Sequence, residues 1–326
     1  MTTLAIIGGG IAGRSLIYTL AKKKKSFSKV ILFDSDVFAQ TCSIRSTAIV
    51  APRGVSSGIS ELGDLLVKGF DTFQSHVKEM NPEGVFRIKQ FSGASLKLDQ
   101  FKKRYPNGKI VQHIQEVPLE QETYIHEESA FLIDTQLYLH WLTLQSSSIP
   151  LKMRNDFIVS CEQSDQKVEL KNSLGEIFIF DQVVFAGGIH NRLWGQSIAG
   201  KSAQGSYFEF LDYELGDDSF SLTLDGDNII YHAHSKKLLI GSTTKEASHH
   251  LADFNDLNEI YKRLKAKLRL SFPEIEKGKL MTGLREKAAQ RKPYLVVDGK
   301  IFWLGGLYKN GFSLGLHLAN DLVQLI

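Results

Sequence analysis

The sequence predicts an α/β chain, α+β overall: a Rossmann-like dinucleotide-binding domain with a mostly antiparallel β-sheet domain inserted into it. A glycine-rich turn, Gly8-Gly9-Gly10-Ile11-Ala12-Gly13, lies between an apolar strand-like run and a helical pattern. Asp34 closes the next apolar run, at the distance where such units carry an acid for a ribose. The middle of the chain is rich in short strand-like runs, and its last segment returns to a strand, glycines and a helix.

Taken in order, Thr3–Gly8 reads as a buried strand, Ile11–Lys24 as a helix and Lys29–Asp34 as a second strand. In the turn, Gly8 permits the tight bend, Gly10 lets a pyrophosphate approach the backbone, and Gly13 lets helix and strand pack closely. The helix start at Ile11 and Ala12 offers free N–H groups and a positive dipole end to the phosphates. An acid at position 34 suits a ribose hydroxyl pair and disfavours a phosphate there. Lys22 to Lys25 close the helix, where cations complement its dipole, and read as a solvated helix end rather than a binding patch.

A helix is expected from about Ser60 to Met80, ended by Asn81-Pro82, then two short strand-like runs within Val85–Leu98. Another helix spans Ile133–Gln145, with Asp134 as its N-cap. Strands are expected at Val168–Leu170, Glu176–Phe180 and Val183–Phe185. A strand-rich stretch, Ser206–Thr243, carries a turn at Asp225-Gly226. An amphipathic helix over Leu251–Leu270 and a strand over Lys300–Leu304 precede the final glycines and a helix over Ser313–Ile326. The nucleotide domain is thus expected to take 1–80, 130–205 and 275–326, and the substrate domain 81–129 and 206–274.

With 326 residues, 43% apolar and 23% charged, the chain has room for one large or two medium domains with a core that needs no staples. Cys42 and Cys161 stand far apart, which argues against a disulfide framework or a zinc site. His232, His234, His249 and His250 lack a third ligand at suitable spacing, so no metal is expected. No run approaches the roughly 18 apolar residues of a membrane helix. The N-terminal apolar run is broken by glycines and has no basic leader, so it is not read as a secretory signal, and a cytoplasmic location is expected. A net charge of +3 is too mild to argue for nucleic acid.

Further motifs follow in a fixed order: Gly84-Val-Phe to Gly93-Ala-Ser-Leu, Leu132-Ile-Asp-Thr, Val183-Val-Phe-Ala-Gly-Gly, Leu239-Ile-Gly-Ser-Thr, Gly283-Leu-Arg and Gly306-Leu-Tyr-Lys-Asn-Gly. In these the chain resembles the D-amino acid oxidase-like (DAO) family of FAD-dependent oxidoreductases, most of all its glycine oxidases. The resemblance implies FAD as cofactor and a small amino acid or secondary amine as substrate, its C–N bond oxidised by hydride transfer to flavin N5. Arg285 matches the arginine that pairs with the substrate carboxylate. Tyr231, or Tyr207, is a candidate for orienting the ligand, and Lys309 for adding charge beside the flavin.

The implied cofactor residues are Gly8, Gly10, Ile11, Ala12, Gly13, Asp34 and Ser35, then Cys42, Ser43, Thr47 and Ala48 on a loop over Thr41–Val50. Ile158, Gly187, Asn310, Gly311 and Phe312 complete the set. Cys42 reads as a small buried thiol rather than a covalent attachment point. A reduced flavin carries negative charge around N1, and a helix beginning after Gly311 would face it with its positive end. The chain departs from the family after Arg285, where Glu286 to Tyr294 retain only the late proline, Pro293, and where Leu307 replaces a histidine. A modified tRNA base is the alternative substrate, with nucleic acid the less favoured partner. A flavin-binding protein whose site has decayed around 286–294 is the other alternative.

Overall fold

The computed structural model describes residues 2–35, 42–52, 55, 58–95, 98–195, 198–246 and 254–326. The first half of the chain runs β1 (Thr3–Ile7), α1 (Ile11–Lys22), β2 (Lys29–Phe33), β3 (Ile49–Val50), α2 (Glu61–Met80), β4 (Val85–Ala94), α3 (Leu98–Arg104), β5 (Lys109–Ile114), β6 (Val117–Ile133) and α4 (Thr135–Leu144). It continues with β7 (Leu151–Arg154), β8 (Ile158–Gln163), β9 (Val168–Asn172), β10 (Ile177–Phe180), β11 (Gln182–Phe185), β12 (Gly200–Phe210), β13 (Phe220–Leu224), β14 (Asp227–His232) and β15 (Lys237–Gly241). The last elements are β16 (Lys245–Glu246), α5 (Phe254–Lys267), β17 (Lys279–Ala288), β18 (Tyr294–Asp298), β19 (Ile301–Gly305) and α6 (Gly311–Leu322).

One sheet has the order β18-β19-β11-β1-β2-β7, parallel from β19 to β7 with β18 as an antiparallel edge. Its strands read as continuous apolar runs because both faces are covered. Leu4 and Ile6 of β1 pack with α1, α2, α4 and α6 on one side. Ala5, Ile7, Phe33 and Phe185 pack on the other against Val168, Leu170 and Phe180 of a three-stranded sheet, β10-β9-β8. This is the Rossmann-like arrangement, and it brings the C-terminal ends of β1, β2, β11 and β19 to one edge.

Local signals set the helix ends. Ser60 Oγ accepts the Gly63 N–H at 3.1 Å at the start of α2, and Asn81, left-handed at φ 44°, closes it. Asp134 accepts from the Leu137 N–H at 3.3 Å as the N-cap of α4. α1 stops at Lys22, earlier than expected, because Lys24 turns into the left-handed region at φ 51°. Of the basic run that follows, Lys22 pairs with Glu79 at 2.7 Å and Lys25 donates to the Ile326 carbonyl at 2.9 Å.

The second sheet is ten-stranded, ordered β16-β12-β15-β14-β13-β4-β6-β3, with β17 on β12 and β5 on β6. Phe91, Leu222, Ile229 and Tyr231 on its outer face pack with Leu257, Tyr261 and Leu264 of α5. Ile88, Leu132, Tyr207, Ile230 and Leu239 form a smaller apolar cluster on its inner face.

The strands differ from expectation in three places. β4 is a single ten-residue strand rather than two runs. β6 spans seventeen residues that gave no clear strand pattern, because Glu120, Glu122, Glu127 and Glu128 interrupt the apolar alternation. β17 pairs with β12 from Gly200↔Ala288 to Glu209↔Lys279, so 279–288 lies in the large sheet, whereas the sequence assigned 275–326 to the nucleotide domain. The expected helix from Leu251 is helical from Phe254, its first three residues lying outside the described ones.

His76 on α2, 5% exposed, is enclosed by the rings of Tyr18, Phe73, Tyr138 and Trp141, and neither ring nitrogen has a hydrogen-bond partner. Burial, helped by Lys22 and opposed by Glu79, lowers its pKa to about 4. Burial lowers His232 in the same sense, to about 3. An unfolded histidine binds its proton near pH 6.5, so the unfolded chain gains protons first and stability is lost as pH falls from there to the folded pKa. For His76 the full loss is roughly 3 kcal/mol. Denaturant titrations across this window should show a stability slope that flattens in His76→Phe; an unchanged slope would place the acid sensitivity elsewhere.

Candidate functional site

The glycine turn after β1 is held from behind. Gly8 sits at φ +110°, a region L side chains rarely adopt, and a Cβ there would stand 2.7 Å from the Ala186 carbonyl oxygen after β11. Gly9 donates its N–H to Asp34 Oδ1 at 2.9 Å and accepts at its carbonyl from Arg14 Nε at 2.7 Å. Arg14 also donates to the Leu139 carbonyl at 3.3 Å and to the Thr143 hydroxyl, tying the turn to α4. A Cβ on Gly13 would stand 2.0 Å from the Gly8 carbonyl oxygen, so helix and turn meet backbone to backbone. Ser43 Oγ accepts the Ile11 N–H at 3.0 Å.

The other end of the chain arrives beside this turn. A Cβ on Gly311 would stand 3.0 Å from Ile11 Cγ2, so the first turns of α1 and α6 adjoin. Neither N-cap residue, Gly10 for α1 or Asn310 for α6, has a side-chain capping bond. Two positive helix ends with N–H groups to satisfy therefore adjoin at the same cavity, a setting for an anionic or electron-rich ligand.

That cavity has a volume of about 690 Å³. Gly8, Gly10, Ile11 and Ala12 line it from the turn, and Asp34, Ser35 and Ile158 from the ends of β2 and β8. Cys42, Ser43, Thr47, Ala48 and Gly187 line it from two loops, and Lys309, Gly311 and Phe312 from the start of α6. Arg285 reaches it from β17. Thr41, at the start of the expected loop, lies outside the described residues. Burial pushes the Cys42 thiol pKa up, opposed by the Arg285 charge.

Gly13 is away from the cavity, in the close helix–turn packing expected of it. Two of the expected site residues stand elsewhere, and of these Asn310 lies just outside the cavity wall. Tyr231 is a correction: it pairs with Phe220 on the outer face of the large sheet, their rings 6.0 Å apart, and its hydroxyl donates to the Gly216 carbonyl at 3.1 Å. With β14 buried on both sides, the apolar pattern did not reveal which face Tyr231 takes. Tyr207 is on the inner face but does not line the cavity. Among the described residues no group of His, Cys, Asp and Glu is arranged to hold a metal; His249 and His250 fall outside them.

Arg285 is 9% exposed and lies against the backbone of Gly205 on β12, where a Cβ would come within 2.1 Å of Nη1. Nη1 is buried and has no hydrogen-bond partner. A guanidinium at a cavity wall with a hydrogen bond left unmade can take an acceptor such as a carboxylate. The glycine beneath it was overlooked in the sequence, although Gly205 faces Gly283 in mid-strand and such glycines mark a close approach.

Glu286 was also missed. It is 4% exposed, accepts the Gly306 N–H and the Tyr294 hydroxyl at 2.8 Å each, and lines the cavity. Asn191 extends this network, donating to Tyr294 Oη at 3.0 Å and the Leu304 carbonyl at 3.1 Å while accepting the Gly187 N–H at 2.7 Å. Burial raises the Glu286 pKa, against the bonds from Gly306 and Tyr294. The departure after Arg285 therefore forms a bonded strut between β17 and the loop that enters α6.

These residues fit FAD: an acid at the end of β2, a glycine backbone, the adjoining starts of α1 and α6 and an apolar wall at Ile158 surround a single space. Among solved structures the chain is similar to glycine oxidase from Geobacillus kaustophilus, at 16% identity and TM-score 0.80, with 99% of this chain and 94% of that one covered. It is similar to iminodiacetate oxidase from Chelativorans sp. BNC1, at 17% identity and TM-score 0.79, covering 98% and 95% of the two chains. It is also similar to L-alpha-glycerophosphate oxidase from Mycoplasma pneumoniae with FAD bound, at 15% identity and TM-score 0.79, covering 100% and 95%. At these identities the likeness shows the fold. A search of curated proteins returns no match. The family model described as FAD dependent oxidoreductase matches residues 3–325, and the chain belongs to this DAO family of FAD-using enzymes.

Proposed function

We propose that the protein oxidises a C–N bond of an amino acid or secondary amine whose carboxylate is held by Arg285. The partnerless, buried Nη1 of Arg285 at the cavity wall is the observation that supports this most. Bound FAD supplies the electron sink for the two electrons that leave the substrate. The chain's own residues supply placement. Arg285 offers a planar fork for two charge-assisted bonds, which fixes the reacting carbon in one orientation. Asp34 and the start of α1 serve the ribose and diphosphate, and the start of α6 with Lys309 serves the electron-rich edge of the ring. Glu286, through Gly306, sets where the loop before α6 stands. The large sheet, including 279–288, acts as the substrate-facing unit. The products are an imine and reduced cofactor. Anaerobic mixing with a panel of small amino acids and secondary amines should bleach the flavin with at least one of them; colour retained across the whole panel would remove this proposal.

A further inference from the structure

We infer that Glu286 is a charged carboxylate buried behind the loop that enters α6, and that it sets the reduction potential of the flavin by opposing the negative charge the ring gains on reduction. The inference rests on the start of α6 facing the electron-rich edge of the ring, as proposed above, and not on which amine is oxidised.

Hydrogen-bond direction fixes the protons. Asn191 Oδ1 accepts the Gly187 N–H at 2.7 Å and its Nδ2 donates to the Leu304 carbonyl at 3.1 Å, so two backbone partners of opposite sense settle the orientation of the amide. Nδ2 then also donates to Tyr294 Oη at 3.0 Å, which turns the one phenolic proton toward Glu286 Oε1 at 2.8 Å. Glu286 Oε2 accepts the Gly306 N–H, also at 2.8 Å. Both partners donate, the arrangement that suits a carboxylate. The main chain of Glu286 holds the same loop, its carbonyl accepting the Tyr308 N–H at 3.1 Å. Gly306, Leu307, Tyr308, Lys309 and Gly311 line the cavity, so the carboxylate stands directly behind a stretch of cavity wall.

That carboxylate is weakly neutralised. Glu286 is 4% exposed, its two donors are uncharged, and among the described residues no ion pair reaches it. Arg192, after β11, acts on it only as a charge at a distance, and Nε and Nη2 of that guanidinium are buried without partners. Tyr294 from β18 is the other titratable group against it, and burial raises the pKa of both. Arg285 and Lys287 flank Glu286 on β17 but point to the opposite face of the strand, Arg285 over Gly205 and Lys287 paired with Glu246. Little water screens such a charge, so it is felt across several ångströms. Reducing FAD to its anionic form adds two electrons and one proton, so the ring gains one negative charge. The start of α6 and Lys309 favour that gain, and the Glu286 charge works against it. Protonating Glu286 ends the opposition, so reduction draws a further proton from solvent onto this carboxylate wherever it is otherwise ionised.

The test is the midpoint potential of the FAD-loaded protein, titrated anaerobically with dithionite beside a reference dye over a series of pH values. Glu286→Gln keeps the shape of the side chain and removes its charge. It is expected to raise the potential on the alkaline side, by the equivalent of about tenfold tighter binding of reduced over oxidised flavin. As pH falls, the curve of the unaltered protein should bend and meet that of the variant, because the carboxylate then takes up its proton. Tyr294→Phe removes one donor to the carboxylate and so favours its protonation. Its bend should lie about one pH unit higher, the worth of one charge-assisted hydrogen bond. An unchanged or lower potential in Glu286→Gln overturns the inference, and so does a rise of equal size at every pH, which a displaced loop would give. If Glu286→Gln loses the cofactor, Tyr294→Phe decides, and an unmoved bend overturns the inference. Either failure alongside flavin bleaching by an amino acid removes this inference alone. The expected pH response without bleaching by any amine removes the proposed substrate class instead.

Discussion

Replacing Arg285 by leucine is expected to lower kcat/KM for a carboxylate-bearing amine by about a hundred- to ten-thousand-fold while FAD remains bound. Two charge-assisted hydrogen bonds at roughly 1.5–3 kcal/mol each set that range. The side chain lies on β17, against Gly205, and does not belong to the glycine turn or to either helix start, so cofactor content should not change. Gly205→Ala provides a stricter version. It removes no charge, but its Cβ would stand 2.1 Å from Nη1 and 2.3 Å from Cζ, so the guanidinium must leave its seat. Amines lacking a carboxylate should lose far less activity in both variants. A uniform loss for substrates with and without a carboxylate would make Arg285 a structural residue instead.

Gly13→Ala is expected to act at the opposite end, on the cofactor. The added methyl would meet the Gly8 carbonyl oxygen at 2.0 Å, and that contact is backbone on backbone, with no flexible side chain to yield. α1 must then move away from the turn, carrying its N-terminus off the position proposed to face the diphosphate. FAD affinity should fall by at least about a hundredfold, with a lower melting temperature as well, the kind of effect overpacking at a fixed contact produces. Ultrafiltration followed by flavin fluorescence of the retained and free fractions measures it. Retention of FAD at the unaltered affinity would show that the α1 start can be displaced without loss to the site.

How far the sequence revealed this site depended on whether backbone or side-chain direction was decisive. The cofactor end was readable because glycines, a strand-end acid and a helix start leave fixed spacings: Gly8, Gly10, Asp34 and Gly311 all stand at the cavity. Arg285 was readable from its motif, but its glycine seat is on a different strand, and only the β12–β17 register brings Gly205 and Gly283 together. Tyr231 was misplaced because a strand buried on both faces carries no polar alternation to fix its parity. Glu286 looked like damage to a motif because its partners Tyr294 and Gly306, and Asn191 bonded to Tyr294, are distributed over three separate segments. The long strand β6 was missed for a compositional reason, since its glutamates suit a loop as well as the solvent side of a sheet.

The convergence of α1 and α6 on one FAD is tested most directly by the visible spectrum and flavin stoichiometry of the purified protein. A yellow protein carrying one FAD per chain, released intact on denaturation, is the expected result. A colourless protein that takes up no added FAD would contradict it, whatever the sheets and helices around the cavity look like.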